Sequence, residues 1–425
     1  LLPLFMKRIF LFFCLLSGLA ASAQTLVTED DRVFSPVIKS VQLYPVGKES
    51  VLPVIALNSS EQLLLSFDEI SNSSRTYNYT FQHCDAQWIP SKLTPLEYIA
   101  GFQDDRLRDY SYSSVTRKKY VHYELKFPDR SMMPKISGNY LLKVFEFDKD
   151  KPVLTRRFYV VNTRVSVAAD IVASPNTALR ETNQKVNFQL DYTGLPVSSA
   201  YNDIKVFIMQ NARSPWGLMN LKPTMIRGTQ LIYNDVNIND FAGGNEFRRF
   251  DTRTLRLNSE RVERIYRDTA NTVMLLTDRP RDKPNYTFLF DNNGKYFIGN
   301  QDGRDARTDG DYAHVYFNLA ANKTDREGTA YVVGQFNNYQ LNEQSKMSFD
   351  NLSNRFYTDI SLKQGVYDYE YIWVDQSSKK VDRIMLEGTH FETENDYQLL
   401  VYFRPANARW DELVGYRLLN TGVKK

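Results

Sequence analysis

Apolar and polar residues alternate with a period of two along most of this chain, the spacing of strands with one buried face. In the run KYVHYELKF, Val121, Tyr123, Leu125 and Phe127 face one way, and His122, Glu124 and Lys126 the other. Between Val37 and Val161 the pattern predicts about seven short strands, the density of a sandwich. They include Val41 to Tyr44, Gln62 to Phe67, Thr76 to His83, Asn139 to Phe147 and Thr155 to Val161, with a hairpin turn at Phe147 to Pro152. The most distinctive stretch is Tyr77 to Phe102. Tyr77, Tyr79, Phe81 and His83 share one strand face, and Trp88 sits in the turn that follows. A short helix is predicted next, with Thr94 as N-cap, Pro95 at its first position, Glu97 closing a capping box and Gly101 as the stop. Trp88 reads as a core anchor.

A second series runs through Val165 to Val172, Val186 to Tyr192, Ile204 to Met209, Glu246 to Thr254, Val262 to Tyr266 and Val273 to Leu276. It is expected to end in a hairpin, YTFLFDNNGKYFIG, turning at Asn293-Gly294, where both turn residues favour positive φ. Strand signals thin out between Asn211 and Gly244, which predicts a long loop. A third series has Val315 to Leu319, Ala330 to Phe336, Phe356 to Ile360, Val366 to Val374 and Leu399 to Phe403. Joints are expected at 162–164 and at the polar run 301–311. The predicted fold is all-β, a tandem of antiparallel β-sandwiches of immunoglobulin-like or early-set type. Its expected units are 24–161, 162–311 and 312–425, after a signal peptide at 1–23.

Composition adds constraints. Aromatics make up 13% of the 425 residues, and these types favour strands. The 53 basic and 50 acidic residues nearly cancel, which argues against a nucleic-acid partner. Lys7 and Arg8, the apolar run Ile9 to Leu16 and Ala21-Ser22-Ala23 form a secretory leader with Gln24 as the expected mature start. Cys14 leaves with it, so Cys84 is a lone thiol best kept buried.

No residue set commits to chemistry. His83 and Cys84 are strand neighbours that point to opposite faces, and His83, His122, His314 and His390 make no metal-spaced pair. Asp302, Asp305, Asp309 and Asp311 lack a calcium-loop spacing and read as a solvated linker. Ser377-Ser378-Lys379-Lys380 has Ser-x-x-Lys spacing but reads as an exposed turn. Asp268-Thr269-Ala270 resembles an O-glycosylation site of Bacteroidota envelope proteins. No catalytic residue, cofactor or metal ligand is assigned. Trp216, Phe241, Asn245, Glu246, Phe247, Arg248 and Arg249 are interface candidates, because aromatics interleaved with arginine suit protein partners.

Two resemblances sharpen this reading. Residues Ala330 to Tyr339 and Gly365 to Tyr371 resemble an early-set sandwich of the glycogen-binding type, with Tyr339 where that family has Trp. An exported carbohydrate-binding protein is therefore the alternative function. The stronger resemblance lies in Tyr77-x-Tyr79, His83-Cys84-Asp85-Ala86-x-Trp88, Ser91-x-Leu93, Glu97-Tyr98 and Gly101-Phe102. Tyr120 to Tyr123, Ser137 to Leu142 and Arg156-Arg157-Phe158 agree with it, as do Gly243 to Arg248 and Phe250-Asp251 more weakly. The chain resembles the plug protein of the type IX secretion system. That resemblance implies a non-enzymatic periplasmic protein at the inner face of the outer membrane. Its partner would be the outer-membrane translocon barrel (SprA or Sov type), whose periplasmic mouth it closes when no substrate is engaged. A spanning barrel is the remaining reading for an exported aromatic-rich chain, but barrels end in an aromatic strand and this sequence ends Thr421-Gly-Val-Lys-Lys.

Overall fold

The computed structural model describes residues 29–422 except 50, 282 and 322–326. The expected signal peptide lies outside the described residues. The described chain is almost entirely strand and turn, in several mostly antiparallel sheets. No helix among these residues is long and apolar enough to cross a membrane.

In the first unit, the sheet Ile38–Pro45, Leu63–Glu69, Val121–Phe127 and Asp109–Tyr112 faces a sheet built on Asn78–Cys84, Gly138–Phe145 and Leu154–Val161. The alternating faces meet as expected: Tyr79, Phe81, Phe127, Tyr140 and Phe158 share one core. Phe81, Phe127 and Phe158 make mutual ring contacts at 5.2–5.3 Å. The helix is a single turn, Pro95–Tyr98, with Glu97 Oε2 accepting from the Thr94 N–H at 2.7 Å. It stops three residues before Gly101, because Ile99–Gly101 pairs as a strand with Met132–Pro134. At Gly101, φ is +91°, and a Cβ would stand 2.1 Å from the Ser131 carbonyl oxygen. That glycine is fixed by close approach of two backbones.

The second and third cores are interleaved in sequence. Ser166–Ala173, Asn183–Asp191, Gln230–Tyr233, Met225–Arg227 and Asp240–Ala242 form one sheet of the second unit. The opposing sheet pairs Ile204–Gln210 with Asp396–Phe403, which pairs in turn with Glu412–Asn420. Val206, Ile208, Leu399 and Val401 therefore share a core. The third core lies between. Arg248–Asp251 and Tyr296–Ile298 pair with the long strand Gly365–Asp375. The opposing sheet orders Val262–Arg267, Asn271–Leu275, Tyr312–Ala320, Arg355–Lys363 and Ser348–Asp350. Strand pairing thus crosses the joint expected at 301–311 in both directions. Hydrophobic periodicity marks a strand without naming its partner, which is why local reading grouped these strands by sequence order.

Three local expectations are corrected. Asn293 and Gly294 do adopt positive φ, 53° and 82°, but Tyr286 to Phe290 forms no strand, and Tyr296–Ile298 pairs with Gly365–Asp375 instead of closing a hairpin. The 211–244 loop contains short strands that complete the second unit's sheets. The acidic run is a structured tie, with carboxylates that accept backbone N–H groups both within the run and from a distant segment. Asp309 accepts from Arg304 N at 2.9 Å, and Asp302 from Leu255 N at 2.8 Å.

Trp88 is 4% exposed. It adopts φ 64° in a turn held by Asp85, whose Oδ1 accepts from the N–H groups of Gln87 and Ile89 at 2.9 and 3.0 Å. Its ring packs edge-on to Tyr159 at 5.4 Å, under the Arg157 guanidinium at 4.3 Å. The cluster around it joins Cys84, Ala86 and Leu141 of the first unit to Phe207, Met209, Leu400 and Leu413 of the second. Trp88 is therefore an anchor between units. Trp88→Ala should lower unfolding free energy by about 3–5 kcal/mol in denaturant titration. Phe147→Ala, at a side chain 89% exposed, should change it by less than about 0.5 kcal/mol.

Candidate functional site

The candidate interface residues gather at the junction of the second and third units, and none of them is exposed. Phe247 is buried under Arg213, whose guanidinium lies 4.6 Å from its ring. Arg213 in turn pairs with Glu370 at 3.3 Å. Arg248 is buried between Glu387 and Asp278, at 3.0 and 2.9 Å. Burial disfavours its charge, but these two carboxylates outweigh that and hold its pKa above the ordinary arginine value. Tyr369 and Tyr371 each donate to Asp278 at 2.8 Å. The Asn245 amide donates to the Glu387 carbonyl at 2.8 Å. Phe241 packs edge-on to Tyr397, and Trp216 lies between Tyr339 and the Arg383 guanidinium. Arg249 is half-buried against Phe290 and 3.6 Å from Glu260. Glu246, Phe247 and Arg248 are buried at this junction, and Trp216, Phe241, Asn245 and Arg249 are half-buried.

Carboxylates crowd the same junction. Glu246 accepts from the Tyr286 hydroxyl, and burial pushes its pKa up to about 7. Asp291 accepts from the Asn293 N–H at 2.8 Å and the Phe247 N–H, yet burial raises it to about 6. Asp368 accepts from the Gly294 N–H at 3.2 Å, and burial, then Asp291, raises it to about 7.

A second junction, between the first and third units, is one that the sequence reading did not single out. Asp68 is buried, and three donors from two units converge on it. His122 Nδ1 lies at 2.6 Å, Lys363 Nζ at 2.7 Å and the Tyr312 hydroxyl at 2.7 Å. The Tyr120 ring lies 4.1 Å from Lys363 Nζ, and the Tyr120 hydroxyl donates to the Gly310 carbonyl at 2.7 Å. Burial raises the Asp68 pKa, but Lys363 and His122 overcome it, so the net direction is down. His122 is raised: burial opposes its charge, and hydrogen bonds to Asp68 and Glu124 outweigh that. The signal available in sequence was a charge inside a hydrophobic strand run, Asp68 in LLLSFDEI and Lys363 in ISLKQGV.

The other chemistry candidates are also placed. His83 faces the first core beside Tyr140 at 5.0 Å, and burial lowers its pKa to about 4. Cys84 faces the opposite way, buried, with its thiol pKa pushed up by burial. Ser377 and Ser378 hydroxyls both donate to Asp375 in an exposed turn. Thr269 is exposed between Val262–Arg267 and Asn271–Leu275. Of the rings behind the carbohydrate reading, Tyr339, Tyr367, Tyr369 and Tyr371 are buried core residues, and Tyr331 and Phe336 are half-buried. Among the described residues, no three His, Cys, Asp or Glu side chains gather as metal ligands.

Fold and junctions together define an all-β body of three sandwich cores locked by buried polar contacts. The model for the type 9 secretion system plug protein 1st domain matches residues 38–162, the first of those cores. The crystal structure of a hypothetical protein from Parabacteroides merdae ATCC 43184 superposes with a TM-score of 0.89 at 32% identity, covering 93% of this chain and 100% of that one. No curated protein matches the sequence. The chain belongs to the type IX secretion system plug protein family.

Two outcomes follow from the junctions. Lys363→Met leaves Asp68 buried without its cation and should cost about 3–5 kcal/mol, while Asp68→Asn combined with Lys363→Met should recover part of that loss. Double-mutant denaturation curves read this directly. For Asp368 the folded pKa, about 7, lies above the ordinary 3.8. A proton kept by the folded form is then released by the unfolded form, so this group's contribution to stability falls as pH rises from about 4 to about 7. Asp368→Asn should therefore stabilise most above pH 7, by roughly 1–3 kcal/mol. The gain should shrink toward zero near pH 4 in melting curves.

Proposed function

We propose that this chain is a non-enzymatic periplasmic plug that docks on the type IX secretion translocon barrel (SprA or Sov type) and closes its periplasmic opening when no substrate is engaged. The family relationship supports the system. The carrying observation is mechanical: the first unit is tied to the second through the Trp88 cluster and to the third through Asp68. The second and third are tied by Arg213–Glu370 and by Lys295–Asp396 at 2.8 Å. We read the three cores as units of one body, the third inserted within the second. A stopper over an aqueous hole must resist bending, and packed interiors of this kind deform little. Its near-neutral charge suits contact by shape and area over strong electrostatic attraction.

The purified barrel in a planar bilayer should conduct ions, and addition of this protein from the periplasmic side should lower the conductance in a saturable way. Conductance unchanged at saturating protein, or a chain that does not co-purify with the barrel, would overturn the reading.

A further inference from the structure

An open cleft of about 510 Å³ lies on the third unit, over the sheet that carries Tyr312–Ala320 and Arg355–Lys363. Such a volume falls within the range of about 300–1,000 Å³ of small-ligand sites. Along these strands Val315, Phe317, Leu319, Phe356 and Ile360 pack into the third core. The residues between them therefore face out. Tyr316 stands beside Met274 of the neighbouring strand, Asn318 opposite Tyr357, and Arg355 opposite Asp350. Tyr316 and Tyr357 are diagonal neighbours, about 7–8 Å apart for such pairs. Phe349 and Leu352 complete the wall, and Leu352 is 99% exposed.

The polar groups of this face are left without partners inside the protein. Asn318 is only 4% exposed and lines the cleft, yet its amide has no hydrogen-bond partner among the described residues. A buried amide left unpaired costs free energy that a polar ligand restores. Arg355 makes no side-chain hydrogen bond or ion pair among the described residues, and its Nε is buried. The rings of Tyr316 and Tyr357, the latter 42% exposed, have no ring contact and no hydroxyl hydrogen bond among the described residues. Charge, in contrast, is balanced. Asp350 faces Arg355, accepts from the Ser353 hydroxyl and from the Leu352 N–H at 3.0 Å, and has its pKa held down by Ser353 first, then Leu352, and by Arg355. At the rim Asp359 pairs with His314 at 3.0 Å, and the Arg264 guanidinium lies 5.9 Å from the Tyr266 ring.

We propose that this face binds a short neutral oligosaccharide, with pyranose rings stacked on Tyr316 and Tyr357 and vicinal hydroxyls on the Asn318 amide and the Arg355 guanidinium. The C–H face of a sugar carries partial positive charge, which suits the negative face of an aromatic ring. A vicinal diol both donates and accepts, as the Asn318 amide does, and it also accepts from Arg355. An apolar segment would cover the rings and leave both polar groups unpaired. An anion would gain little where Asp350 already opposes Arg355. These rings are separate from Tyr339 and its neighbours, which the sequence likened to a glycogen-binding domain. The site lies within one unit and does not depend on the docking reading.

Isothermal titration calorimetry of the whole protein with maltoheptaose, cellohexaose and mannohexaose should give saturable binding to at least one of them. Tyr357→Ala should weaken it about tenfold and keep the parent's melting temperature, since that side chain faces out. Asn318→Leu should weaken it by about fivefold or more without lowering the melting temperature, because the amide it removes has no partner in the protein. Phe147→Ala, at an exposed ring of the first unit, should bind as the parent does. Absence of binding to all three sugars, or parent-like binding by Tyr357→Ala, would overturn the proposal. Tighter binding of an oligogalacturonate would make this an anion site on Arg355 and overturn it equally. So would displacement of the sugar by an end-capped Tyr-Asn-Tyr peptide at equal concentration, which would make it a peptide site.

Discussion

A single buried carboxylate, Asp68, sets the relation between the first and third units. It receives His122 from its own sheet and Lys363 and Tyr312 from the third. A buried charge is tolerated only with its partners in place, so the two units cannot slide without exposing an unpaired ion. Apolar contacts alone would permit many offsets of similar energy. The convergent donors select one.

The other junctions work by different means toward the same result. Trp88 inserts an aromatic wedge backed by Arg157 and Tyr159, and its turn is fixed by Asp85. Arg213 ties the second unit's flank to the third through Glu370, and Arg248 is held within the third between Glu387 and Asp278. The acids around Asp368 and Asp291 are held with raised pKa values, which costs stability at neutral pH. Their geometry is kept by backbone N–H groups of the Asn292 to Gly294 turn and of Phe247. Conformational definition at this junction is obtained against a stability penalty.

Much of the strand inventory was legible in the sequence, because one-sided burial writes period two into the residues. The Tyr77 to His83 face and the Val121 to Phe127 face read correctly for that reason. Partner choice was not legible. Leu399 to Phe403 gives no local sign that it belongs with Ile204–Gln210, and a good Asn-Gly turn formed without its hairpin. The candidate interface residues gather at an internal junction, because aromatics and arginines mark any desolvated junction, internal or external. His122 lay on the strand face expected to be polar and is buried, since a third unit covers that face. The cleft over Asn318 was invisible because Met274, Tyr316 and Tyr357 meet only when their strands pair in register.

The interleaving of the second and third cores has a consequence for biogenesis. Val206 and Ile208 wait for Leu399 and Val401, nearly two hundred positions downstream, before their sheet can close. During synthesis the leading sandwich can mature early, while its successor stays open until the tail arrives. Such long-range closure is slow and leaves a strand edge unpaired in the interim, a window in which a chaperone would find something to hold.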